Sequence, residues 1–160
     1  MVEQGHVNGI LTAVVQGMNS SEDLNIRQSA FECLVAISST YYDRLDPYMK
    51  DILDITARAM EENEEPVALQ AIEFWSSICD EEFNRSTAKI TCSNFIRKEL
   101  PVLVRSLVGT LPRQEEDQDQ GEWARNIAMA RRTCLQLVMR TVGDVLRQDV
   151  VILLALGRRT

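Results

Sequence analysis

Apolar residues recur along this chain at intervals of three and four, the period of an α-helix with one buried face. Val7, Ile10, Leu11, Val14, Val15 and Met18 form the first stripe, and Ile26, Ala30, Cys33, Leu34, Ile37 and Tyr41 the second. Asp46-Pro47 reads as an N-cap followed by proline at the first helical position. It opens a third helix marked by Tyr48, Ile52, Ile55 and Ala59. Glu65-Pro66 opens a fourth in the same way, with Ala68, Ile72, Trp75 and Cys79 on its face. Ile96, Leu100, Leu103, Val104, Leu107 and Leu111 mark a fifth, which Pro101 should kink or delay. A sixth runs from about Trp123 to Val142 through Ile127, Ala130, Cys134, Leu137 and Val138. Val150 to Leu156 looks like the start of a seventh. The spacing is helical throughout, so the expected fold class is all-α.

Short loops at 19–23 and 61–65 join these helices into antiparallel pairs. First members begin near residues 7, 47 and 94, and second members near 24, 66 and 123. The first of these spacings, about 40 residues, is that of HEAT or armadillo repeats. The expected architecture is therefore an α-α superhelix of about three and a half hairpins, forming one unit over residues 1–160. The repeats fall near 7–42, 47–83 and 94–142, with a partial helix at 148–157. Residues 84–93 and 112–122 read as extended loops. A charged loop as long as the second is uncommon in a compact domain unless it is functional or disordered.

Composition narrows the class without changing it. A length of 160 residues is that of one domain and is enough to bury a core. Only 7 Gly and 4 Pro argue against an all-β fold, which needs many turns. No run of 18 apolar residues is present, so no transmembrane helix and no membrane insertion are expected. The start, MVEQGHVNG, has neither the basic residues nor the apolar core of a signal peptide. Cys33, Cys79, Cys92 and Cys134 are far apart and show no metal spacing, which fits a reducing compartment. The sequons at Asn19 and Asn84 are taken as chance. His6, the single histidine, has no nucleophile or carboxylate at a defined spacing and reads as a tail residue. With no phosphate loop, paired-cysteine site or calcium loop either, no cofactor and no enzymatic activity are expected.

Charge adds more. Residues 59–84 carry eight carboxylates (Glu61, Glu62, Glu64, Glu65, Glu73, Asp80, Glu81, Glu82) and no Lys or Arg. Residues 114–122, QEEDQDQGE, carry five more (Glu115, Glu116, Asp117, Asp119, Glu122). The formal charge of -7 thus divides into -13 in these two windows and +6 elsewhere. Such a field attracts cations and basic polypeptides and repels nucleic acid.

The wording of several segments then becomes informative. ILTAVVQGM, SAFECLVAISSTYY, VALQAIEFWSSICDEE, ELPVLV, an acidic loop ending in a tryptophan, and IAMARRTCLQLVMRTVGD follow one another in the order found in the importin-β family of nuclear transport receptors. The resemblance covers roughly residues 7–145, and QEEDQDQ and ISSTYY look most like plant-type members. The chain departs from the family after Asp144, where it reads VLRQDVVILLALGRRT, and at Arg131 and Arg132, where small residues are usual. The resemblance implies a slice of a HEAT-repeat α-solenoid found in cytoplasm, nucleus and nuclear pore. It implies three kinds of partner: the Ran GTPase, the importin-α adaptor or basic nuclear-localisation-signal cargo, and FG nucleoporins.

It also implies site residues. Glu73 and Asp80, two turns apart, share one face of the fourth helix. They match inner-surface acids that contact basic partners; the alternative is a solvated helix face. Trp123 matches a tryptophan that packs on a ligand Arg or Lys, a contact of ~0.5–2 kcal/mol; the alternative is a core or helix-start residue. Glu115, Glu116, Asp117, Asp119 and Glu122 match the acidic loop that engages Ran in its GTP form and the adaptor's basic helix; the alternative is a solubilising insertion. Ile10 and Leu11 match positions that accept phenylalanines of FG nucleoporins, although both also fit the buried stripe. Trp75 reads as core. A HEAT scaffold for another complex, without transport function, is the rival reading of the whole chain.

Overall fold

The computed structural model describes residues 2–20, 23–62, 65–108 and 121–143. Helices α1 (Val2–Met18) and α2 (Leu24–Ile37) form the first hairpin. Asp23 caps α2, accepting a hydrogen bond from the Asn25 N–H at 2.8 Å. Two 3₁₀ turns, Tyr42–Arg44 and Asp46–Tyr48, lead into α3 (Met49–Glu62), which pairs with α4 (Glu65–Ala88). The short α5 (Phe95–Lys98), α6 (Leu100–Val108) and α7 (Gly121–Val142) complete the described chain.

The contacts sort these helices into two layers. Helix α1 touches α3 and α3 touches α6, while α2 touches α4 and α4 touches α7. Across the layers α1 packs on α2, α3 on α4 and α6 on α7. Each hairpin buries its apolar stripe against the next, which is how a solenoid is built. Gly17 allows α1 and α2 to approach closely, since a Cβ there would lie 2.9 Å from that of Ala30. Trp75 and Phe74 are fully buried and pack edge to face at 5.0 Å. The Trp75 indole N–H donates to Thr56 Oγ1 at 2.9 Å, tying α4 to α3. The fold is the expected all-α superhelix, with three hairpins among the described residues; the partial helix at 148–157 lies outside them.

Several expectations change in detail. Asp46 opens a 3₁₀ turn containing Pro47 instead of capping α3, because proline's fixed φ suits either kind of first turn. Helix α4 runs on through Ala88, so the expected loop at 84–93 shrinks to its second half. That loop is bracketed by Lys89 and Asn94, both at positive φ. The fifth helix is broken in two at Glu99, and Pro101 sits in the first turn of α6, where its missing N–H is harmless. In α2 the core residues are Phe31 and Leu34, while Ile26 is exposed. Helix α2 packs on both α1 and α4, so the buried stripe differs from the one read along the chain.

Candidate functional site

Glu73 and Asp80 do share one exposed face of α4, about 10 Å apart along its axis. On α7, Asn126, Thr133 and Arg140 repeat at the same seven-residue interval and therefore also line one face. The two faces border a groove of about 390 Å³ lined by Ile72, Glu73, Ser76, Asp80, Met129 and Leu137, among others. Met129 is 67% exposed, an apolar surface beside the acids. The charge pattern does not point to Met129, Asn126, Thr133 or Arg140, although the seven-residue repeat on α7 marks the last three.

The two acids are in different states. Glu73 makes no ion pair among the described residues. Asp80 accepts a hydrogen bond from Arg140 Nη2 at 2.7 Å, and the Arg140 guanidinium lies 4.2 Å from the centroid of the Phe83 ring. Helices α4 and α7 are joined through the core between them. Thr141 Oγ1 donates to the Cys79 carbonyl at 3.3 Å, and Cys79 and Cys134 are fully buried. Burial raises both thiols above the ordinary value, Cys134 to about 11.

The rest of the acidic field divides. Glu82 is not part of a surface field. It is buried, and its carboxylate accepts the backbone N–H of Phe95 at 2.7 Å and of Ile96 at 3.1 Å, together with the Tyr42 hydroxyl. Those N–H groups are the unpaired donors at the start of α5, so Glu82 caps that helix from another element. Burial pushes the Tyr42 phenol well up, and its hydrogen bonds to Cys92 and Glu82 push the same way. Arg85 lies 4.2 Å from the Tyr42 ring centroid and pairs with Asp43 and Glu81, each at 2.9 Å. Glu122 is exposed in the first turn of α7, where a negative charge favours the helix dipole. Glu115, Glu116, Asp117, Asp119 and the Trp123 side chain lie outside the described residues.

The layer of α1, α3 and α6 separates Ile10, 40% exposed, from Leu11, at 0% part of the core. Arg131 is buried and donates to the Met60 carbonyl at 2.6 Å, so one of the two unusual arginines closes the end of α3. Among the described residues no group of three or more metal-ligating side chains occurs, and no helix is long and apolar enough to cross a membrane.

No family model matches the chain. Individual proteins do. The chain is 45% identical to importin subunit beta-1 of Arabidopsis thaliana over an alignment of 197 positions, covering 90% of this chain and 23% of that protein. Its path matches a solved Kap95:Nup1 complex with a TM-score of 0.78 at 30% identity, covering 95% of this chain and 18% of that one. It also matches the Kap95p structure in which the switch loops of RanGDP adopt the GTP-bound conformation. There the TM-score is 0.73 at 32% identity, covering 86% of this chain and 17% of that one. The chain thus spans less than a quarter of the length of each protein it matches. Sequence and path agree, and the plant-type wording is consistent with a relative from Arabidopsis: the chain belongs to the importin-β family.

Proposed function

We propose that this chain binds basic polypeptides in the α4–α7 groove, as part of a nuclear import receptor. The observation that carries the reading is the groove itself, with Glu73 open, Asp80 reachable and Met129 presenting apolar surface beside them. The ligand is a basic import signal or the importin-β-binding helix of an adaptor. Its cations meet the acids and its aliphatic stems lie on Met129. Glu115, Glu116, Asp117, Asp119 and Glu122 add negative charge for the same basic ligands, and Trp123 adds stacking. Ran-GTP uses overlapping acidic ground and so displaces the cargo. The Kap95 complexes with RanGDP and with Nup1 support Ran and a nucleoporin as partners. Of the α1 pair Ile10 and Leu11, exposed Ile10 is the residue that would meet a nucleoporin phenylalanine. The chain acts by binding and not by catalysis, and it moves between cytoplasm and nucleus.

Each exposed ion pair is worth about 0–1 kcal/mol, so useful affinity requires many at once. The test is a titration of the full chain with an arginine-rich adaptor helix and with Ran-GTP across a salt series. Glu73→Gln should weaken peptide binding by up to about fivefold. Replacing Glu115, Glu116, Asp117 and Asp119 by Ser should weaken both ligands and flatten the salt dependence. Salt-independent binding, or none by a chain whose circular dichroism melt shows it folded, would favour the scaffold reading instead.

A further inference from the structure

The Asp80 end of the groove already holds a guanidinium. Arg140 donates to the Asp80 carboxylate at 2.7 Å and lies 4.2 Å from the centroid of the Phe83 ring. Asp80 and Phe83 are three residues apart on α4, hence neighbours on one helix surface. Together they offer what a planar cation needs, an acceptor at its edge and an aromatic face beneath it. An ammonium matches the charge but has no plane to lay on the ring. All three groups face solvent: the Arg140 and Asp80 side chains are 43% and 58% exposed, and Phe83 is 37% exposed. The arrangement is therefore held by screened contacts and opens without disturbing the core.

We propose that Asp80 and Phe83 form an arginine-selective subsite for a basic polypeptide, and that Arg140 is its internal occupant, displaced by an incoming arginine. The proposal rests on the reading of the groove as a binding site for basic chains, and it gives that site a preference. Glu73 takes either cation, whereas the Asp80–Phe83 pair distinguishes arginine from lysine.

The experiment titrates the full chain with fluorescent oligoarginine and oligolysine peptides of equal length. It compares the natural chain, Arg140→Gln, Phe83→Leu in the Arg140→Gln background, and Lys50→Gln. Lys50 is exposed on α3, in the other layer, so its loss changes net charge without touching the groove. Arg140→Gln should tighten oligoarginine by about three- to tenfold and oligolysine by clearly less. Adding Phe83→Leu should abolish the difference between the peptides, and Lys50→Gln should shift both slightly and equally. A gain from Arg140→Gln no larger than that from Lys50→Gln, or equal for both peptides, overturns the subsite while leaving the groove as a binding site. Binding of neither peptide by any folded variant overturns the groove reading and the subsite with it. Circular dichroism melts of each variant establish that they are folded.

Discussion

Helix α4 carries acids into two places that behave in opposite ways. At its C-terminal half Glu82 is buried between hairpins, where it holds two backbone N–H groups and a phenol. On its open face, Glu73 and Asp80 meet solvent, and Asp80 holds one solvent-exposed arginine. The same side-chain chemistry is thus a fastener in one position and open to solvent, within reach of a partner, in the other. What separates them is rotation about the helix axis: Glu82 lies two residues beyond Asp80, about 200° around the helix. A count of carboxylates along the chain measures the field but does not say which acids a partner can reach.

The comparison breaks hardest at Glu82. Glu82→Gln keeps the size but leaves a neutral amide, which accepts with one oxygen only, facing three donors. Leaving buried donors unmet should cost about 2–4 kcal/mol, measured as a lower urea midpoint at unchanged slope. A loss below about 0.5 kcal/mol would place Glu82 with the exposed acids after all.

The buried thiols of α4 and α7 supply the next test, through pH. Cys134 holds its proton to about 11 and burial raises Cys79 as well, whereas an unfolded thiol titrates near 8.5. The folded state binds these protons more tightly than the unfolded chain. Their contribution is therefore full below pH ~8.5 and is lost as pH climbs toward that of the folded thiol. By pH ~10 about 1–2 kcal/mol should be gone for each thiol, and Cys134→Ala should flatten this slope as well as lowering stability. The partly exposed Cys33 and Cys92 should react with a thiol reagent well before Cys79 and Cys134.

Arg85 belongs to the fastener. It stacks on Tyr42, pairs with Asp43 and Glu81, and donates to the Thr91 carbonyl at 3.0 Å. Arg85→Met keeps the stem and removes the charge. It should cost about 1 kcal/mol in urea melts, with no change in peptide binding.

The layered fold was legible because period and pairing are local. The stripe Ala68, Ile72, Trp75 and Cys79 is buried as read, and Pro101 marks the break between α5 and α6. The misread positions depend on partners far along the chain. Ile26 and Phe31 sit at helical spacings that fit either of two stripes, and only the packing of α2 between α1 and α4 selects Phe31. Glu82 finds Tyr42 40 residues earlier, and Arg131 finds Met60 71 residues earlier. Nothing in a local window distinguishes such residues from solvated charges. The groove was half legible: Glu73 and Asp80 stood out by charge, whereas the neutral members on α7 show only their spacing.

The smallest expected effect is the one that defines the other side of the comparison. Asp80→Asn removes the carboxylate that Arg140 touches, yet both side chains are largely solvated in the folded chain. Water replaces the lost partner at little cost, and the aromatic contact with Phe83 persists. Stability should change by less than about 0.5 kcal/mol. A double-mutant cycle with Arg140→Gln should return a coupling of similar size that shrinks in high salt. A coupling as large as the Glu82 effect would mean that Arg140 locks α7 onto α4. The open face would then be a second fastener, with no acid at Asp80 left to offer an incoming cation.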